Sequence, residues 1–213
     1  MAERPAELDN DLVWVEQLAP SRRAPALFLD RDGVIVEEVL HLREPAKARL
    51  IAGAAEVIQA ARARGLHVVV VTNQSGIGQG LFGWEEFRAV QHRMLADLAE
   101  LGAAVDAVLA CPYHPQGLPP YRHANHPARK PNPGMLLKAA AMLRVELGGS
   151  WIVGDRAGDL AAGRAAGLPG GLHVETGFGP EQRPEALALA GPSFRVLAGA
   201  SVADALELLP ILR

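Results

Sequence analysis

The chain has 213 residues, 49% of them apolar and 21% charged, with a formal net charge of -3 at neutral pH. These values suit one sizeable α/β domain with its own core and exclude a disordered or fibrous chain. The slightly acidic balance gives no electrostatic footing for nucleic acid or an anionic membrane, so the expected partner is a small molecule bound by local groups. No apolar run nears the roughly 18 residues of a membrane span, and the polar residues 1–10 lack the apolar core of a secretory signal. One cysteine, Cys111, cannot form an internal disulfide. A cytoplasmic protein is expected, with a monomer as the default.

Residues 1–25 read as a lead-in segment in which prolines surround the small apolar cluster Leu12-Val13-Trp14-Val15. The main domain spans 26–213. It opens on an apolar strand over 26–30 that ends in Asp30-Arg31-Asp32-Gly33. Side chains two apart on an extended segment point the same way, so Asp30 and Asp32 can face one site at the carboxyl end of a strand, while Gly33 lets the backbone turn. Alone, the same four residues read equally well as a surface turn. The stretch 34–41 is rich in β-formers without strict alternation and is expected to be a flap beside the site.

Apolar residues at helical spacing predict a helix over 53–64, stopped by Gly65. A strand over 67–72 follows, whose four consecutive valines imply burial on both faces. Next come a helix over 84–101, a strand over 105–110, and a Pro/His-rich loop over 111–133, which carries three of the seven histidines. A helix over 133–147 begins at Pro133, where a missing N–H costs nothing. Then come a strand over 151–153, a small-residue helix over 157–166, strands over 171–174 and 194–197, and a helix over 202–209. Strands alternating with helices predict an α/β fold, a doubly wound, mostly parallel Rossmann-like sheet.

Taken in order, Asp30-x-Asp32, Thr72, Lys130 and Gly154-Asp155-x-x-x-Asp159 resemble the four motifs of the haloacid dehalogenase superfamily, most of whose members are phosphatases. That resemblance implies the superfamily's fold, here with loop insertions and no large cap domain. Asp30, nearest the strand, is assigned as the nucleophile that forms an aspartyl-phosphate, and Asp32 as the group that protonates the leaving oxygen and then activates water. Thr72 and Lys130 would hold phosphoryl oxygens, helped by N–H groups of residues 73–76. Asp30, a backbone carbonyl of Asp32, and Asp155 supply oxygen ligands suited to Mg²⁺. Asp159, one helical turn past Asp155, orients the site or caps the helix that starts near Ala157.

A narrower resemblance rests on Thr72-Asn-Gln-Ser-Gly-Ile-Gly-Gln-Gly80, Cys111-Pro-Tyr-His-Pro-Gln-Gly117 and Arg129-Lys-Pro-Asn-Pro-Gly-Met135. These are similar to the heptose-bisphosphate and histidinol-phosphate phosphatases. The resemblance implies a small phosphorylated sugar or polyol as substrate, a heptose bisphosphate cleaved at its 7-phosphate ahead of histidinol phosphate. It makes Asn73, Gln74, Ser75 and Arg129 substrate contacts, with Arg129 suited to a second phosphate.

Relatives in this group often carry a structural zinc on Cys-x-His and Cys-x-Cys pairs. Here the pairs read Cys111-Pro112-Tyr113 and His126-Pro127-Ala128, so half the ligand positions are lost. Cys111, His114, His123 and His126 are the atoms from which a rearranged site could be built, but an ordered, metal-free loop is expected.

Two rivals differ in class. Gly78-Gln79-Gly80-Leu81-Phe82-Gly83 matches the dinucleotide fingerprint, yet it does not open directly from a strand. A phospho-acceptor signalling domain would also use Asp, Thr and Lys, but it has no use for Asp32.

Overall fold

The computed structural model describes residues 7–213; the first six residues of the polar amino-terminal stretch lie outside it. Among the described residues, seven strands form one sheet in the order β1-β4-β3-β2-β5-β6-β7. They are β1 Trp14–Gln17, β2 Ala26–Leu29, β3 His67–Asn73, β4 Ala107–Cys111, β5 Trp151–Gly154, β6 Gly170–Val174 and β7 Arg195–Gly199. All neighbours run parallel except β1, which pairs antiparallel with β4 from Trp14↔Ala110 to Gln17↔Ala107. The helices are α1 Ala54–Ala63, α2 Ser75–Gly78, α3 Trp84–Glu100, α4 Gly134–Leu143, α5 Ala157–Ala165, α6 Gly179–Leu187 and α7 Ala205–Leu208. This is the expected doubly wound sheet, and among the described residues no large cap is inserted in it.

Alternation along the central strands explains the two helix layers. Leu27 and Leu29 of β2, with Val68 and Val70 of β3, face a core completed by Val57 and Ile58 of α1 and Phe87, Val90 and Met94 of α3. Ala26 and Phe28, with Val69 and Val71, face the opposite core against Met135 and Leu136 of α4 and Leu160 of α5. Each fully buried valine contributes about 1.5–3 kcal/mol, which is why a central strand tolerates four in a row. Because the chain order reverses between β3 and β5 on either side of β2, their carboxyl ends open a crevice there.

Several expectations change in detail. The helix expected to reach Leu147 ends at Leu143, because Arg144 takes a left-handed conformation, φ 63° and ψ 42°. From there the chain turns to bond Glu146 N–H to Ala24 O at 2.9 Å, so long-range pairing overrides helix propensity. The stretch 34–41 forms no strand. Val34, Ile35 and Val36 are buried in the core, and Glu38 to His41 line the site. Residues 202–209 divide into a 3₁₀ turn, Val202–Asp204, and the short α7. Trp14, fully buried in edge strand β1, stacks on Trp84 at 5.5 Å and meets Phe87 edge-on at 5.2 Å.

Candidate active site

A cavity of about 290 Å³ opens at the carboxyl ends of β2 and β3, lined by Asp30, Asp32, Thr72, Asn73, Gln74, Ser75, Arg129, Lys130 and Asp159 among others. Every residue expected to act on phosphate therefore reaches one site. Asp155 sits behind this group at the end of β5, and the carboxylates of Asp30, Asp155 and Asp159 lie within 4.8 Å of one another.

Lys130 ties this cluster together. Its Nζ donates to Val71 O at 2.7 Å, Asp30 Oδ1 at 3.0 Å and Asp159 Oδ1 at 2.6 Å, which spends all three ammonium protons. Burial works against this ammonium, but Asp159 and Asp30 more than offset it and hold its pKa above the ordinary value. Asn73 fixes the lysine's backbone, with Nδ2 donating to Lys130 O at 3.0 Å and Oδ1 accepting from Lys130 N at 3.1 Å. Asn73, expected to touch substrate, thus has its amide committed to placing Lys130.

Asp30 is buried, and its Oδ1 also accepts the Arg31 N–H at 2.7 Å. Burial raises its carboxyl to about 7 against the pull of Lys130, with Asp159 and Asp32 adding to the rise. Asp155 is pushed up to about 8, first by burial and then by Asp30 and Asp159. Three buried carboxylates face one ammonium, so ionising all three leaves an excess of negative charge that a cation would relieve.

The donor set tests that fit. Asp155 Oδ2 accepts the Phe178 N–H at 2.8 Å, while Asp155 Oδ1 is buried with no hydrogen-bond partner at all. An orphaned carboxylate oxygen beside Asp30 is what a hard divalent cation such as Mg²⁺ requires. Asp159 is less available, since Lys130 takes Oδ1 and the Arg156 N–H donates to Oδ2 at 3.0 Å. Of the two expectations, orienting the site or capping the helix, the Arg156 bond makes the cap of α5, and the other oxygen meets Lys130. Gly33 is required here: its φ is +79°, and a Cβ would lie 2.6 Å from Asp155 Oδ2.

Asp32 lies apart from the carboxylate cluster, held by Gln74 Nε2 at 2.9 Å and by both Nε and a terminal nitrogen of Arg31. The same Gln74 nitrogen donates to Thr72 Oγ1 at 2.9 Å. The Gln74 backbone N–H, offered by the sequence to a phosphoryl oxygen, instead bonds to Cys111 O at 2.7 Å. Arg129 donates to Ser75 Oγ at 2.9 Å and Tyr113 O at 2.8 Å, so one guanidinium nitrogen fastens it to two elements. The flap expected over 34–41 supplies the far wall, Glu38 to His41 with Leu42 beyond it; reasoning from the residues missed Arg156, whose guanidinium lies 3.6 Å over the Phe178 ring. Position immediately after Asp155 was the available signal for Arg156.

In the 111–133 loop, His126 stacks on Tyr113 with ring centroids 3.7 Å apart and planes 7° from parallel. His114, His123 and His126 each accept at Nδ1 the backbone N–H two residues on, from Gln116, Asn125 and Ala128, at 3.1 Å. Cys111 is buried, and burial pushes its thiol up to about 11. Among the described residues, Cys111 and these histidines do not gather into a three-ligand set. The glycine-rich segment packs against the loop at Gly78, where a Cβ would lie 2.1 Å from Pro112 O, so this glycine serves close approach of two backbones.

Comparison with known proteins places the chain in a family. A haloacid dehalogenase-like hydrolase model matches residues 27–81 and a HAD-hydrolase-like model residues 127–204. A D-glycero-beta-D-manno-heptose-1,7-bisphosphate 7-phosphatase of Mesorhizobium japonicum is 45% identical over 174 residues, 80% of each chain. The crystal structure of a HAD-like phosphatase from Mesorhizobium loti superposes with a TM-score of 0.85 at 41% identity, covering 98% of this chain and 96% of that one. A D,D-heptose 1,7-bisphosphate phosphatase from B. bronchiseptica, crystallised with magnesium and phosphate, superposes with a TM-score of 0.72 at 31% identity, covering 88% and 98%. The chain belongs to the haloacid dehalogenase-like hydrolases and is a phosphoric monoester hydrolase, similar to the D-glycero-beta-D-manno-heptose-1,7-bisphosphate 7-phosphatases.

Proposed function

We propose that this chain is a Mg²⁺-dependent phosphatase that removes the 7-phosphate of D-glycero-D-manno-heptose 1,7-bisphosphate through an aspartyl-phosphate on Asp30, working in the cytoplasm as a monomer. The observation that carries the chemistry is the buried Asp30, Lys130 and Asp159 cluster beside the orphaned Asp155 Oδ1. Asp30, Asp155 and the backbone carbonyl of Asp32 would hold the metal, which when bound neutralises charge on the carboxylates and the phosphoryl group.

Asp30 Oδ1 is committed to Arg31 N–H and Lys130, so Oδ2 is the oxygen that attacks phosphorus. As the new O–P bond forms, the ester O–P bond breaks and its electron pair stays on the leaving oxygen, which takes a proton from Asp32. Water then attacks the aspartyl-phosphate and returns a proton to Asp32, releasing phosphate and the Asp30 carboxylate. Proton transfer of this kind is worth about 10²–10⁴-fold. Phosphate monoester hydrolysis needs up to ~10²¹-fold, so Lys130, Thr72 and the other polar groups of the pocket must stabilise most of the transition-state charge.

The substrate reading rests on the names of the relatives and on Arg129, a fixed guanidinium at the pocket edge suited to the phosphate that does not react. Catalytic efficiency on a panel of both anomers of the heptose 1,7-bisphosphate, the heptose 7-phosphate, histidinol phosphate and simple phosphomonoesters tests it. The heptose bisphosphate should lead by at least about tenfold, a difference of ~1.4 kcal/mol in transition-state binding. A lead for histidinol phosphate would replace the substrate, and a flat panel would remove the sugar specificity.

A further inference from the structure

Arg31 stands between the two catalytic aspartates in sequence, yet its side chain is only 1% exposed and cannot touch a substrate. Alternation sends it to the opposite side of the strand end from Asp30, where its guanidinium carbon lies 5.2 Å from the ring centre of Phe87 in α3. One terminal nitrogen, Nη1, is buried there without a partner. Burying a guanidinium in an apolar layer is costly, and an aliphatic side chain would fill that space at lower cost. What the arginine adds is its fork. Nε lies 3.1 and 3.2 Å, and Nη2 3.0 and 2.9 Å, from Asp32 Oδ1 and Oδ2.

A carboxylate offers about four lone-pair directions. Arg31 takes two, and Gln74 Nε2 takes a third on Oδ2 at 2.9 Å. One direction, on Oδ1, is left to carry a proton or to receive one. We infer that Arg31 is a positioning residue: together with Gln74 it fixes the Asp32 carboxylate so that Oδ1 is the atom that exchanges the proton. This inference rests on the reading of Asp32 as the acid and base. Lysine at this position keeps the charge but has no planar fork, so it holds the carboxylate at one point and lets it rotate.

The test is dependence on the leaving group, which a merely structural role would not alter. Wild type, Arg31→Lys, Arg31→Gln and Asp32→Asn are compared on an alkyl phosphomonoester, whose leaving oxygen needs a proton, and on p-nitrophenyl phosphate, whose leaving group does not. In kcat/KM, which stops at departure of the leaving group and so leaves out the later hydrolysis common to both esters, Arg31→Lys should lose at least about tenfold on the alkyl ester, within the range of general acid help, with p-nitrophenyl phosphate nearly spared. Arg31→Gln should show the same bias more strongly, but the lysine variant decides if the glutamine variant fails to fold. Equal losses on both esters, or no loss, in Arg31→Lys would overturn the positioning role while a biased Asp32→Asn left the acid and base reading standing. An unbiased Asp32→Asn would overturn that reading and the inference with it.

Discussion

At the scale of single residues, the site divides into groups that meet the phosphate and groups that hold those groups still. On the proposed function Arg129 belongs to both, because Tyr113 O and Ser75 Oγ fix the guanidinium that the second phosphate would meet. Arg129→Ala should therefore cut kcat/KM on a bisphosphate by about 100-fold but by less than about tenfold on the matching monophosphate, the scale of a charged hydrogen bond. Equal losses on both substrates would assign Arg129 to the reacting phosphoryl group or the fold. The two downstream aspartates should separate as well. Asp155→Ala should weaken Mg²⁺ binding, measured by titration, by more than the roughly 10–100-fold expected of a residue that only orients ligands, and Asp159→Ala should remain within that range. Equal weakening would show that Asp159 is itself a ligand despite its two occupied oxygens.

At the scale of elements, most of the architecture was legible because hydrophobic period and glycine stops are local signals. The valine run of β3 and the caps near Gly65 and Pro133 are of this kind. Other features were not legible, among them the four-residue helix α2. Strand β1 is four residues at a sheet edge, and only its pairing with β4 makes it a strand. Helix α6 carries Pro180 and Pro184 within nine residues, which hides a good helix-forming composition. The end of α4 is set by a contact with Ala24, far away in sequence. The site was readable down to Asp30, Lys130 and Asp155, but the bond from Asn73 to Lys130 and the fork from Arg31 to Asp32 belong to tertiary geometry. Strand β1 also carries a stability prediction. Trp14→Ala should destabilise the fold by about 3–5 kcal/mol, the range for removing a buried aromatic, read as a lower denaturant midpoint with an unchanged slope. A midpoint within the error of wild type would mean that the Trp14, Trp84 and Phe87 stack contributes little.

At the scale of the whole molecule, the buried carboxylates link folding, protons and metal. Burial holds Asp30 at about 7 and Asp155 at about 8, both above the ordinary value of an aspartate. For acids raised in this way, the stability contribution is complete below the unfolded pKa and is lost as pH rises through the folded values. Metal-free protein should accordingly lose stability between about pH 4 and pH 8 from these groups. Mg²⁺ must displace their protons, so its affinity should climb across the same window and its binding should release protons into a weak buffer. Affinity that stays flat up to about pH 8 would contradict the raised values of Asp30 and Asp155.

The most direct measurement is to trap the covalent intermediate. Asp32→Asn should keep the nucleophile while slowing hydrolysis of the phosphoenzyme. Mixed with heptose 1,7-bisphosphate and Mg²⁺, quenched in acid and reduced with borohydride, it should yield homoserine at position 30 by peptide mass spectrometry. Asp30→Asn should yield none and show no turnover. Turnover without modification at position 30, or wild-type activity in purified Asp30→Asn, would contradict a phosphatase built around Asp30.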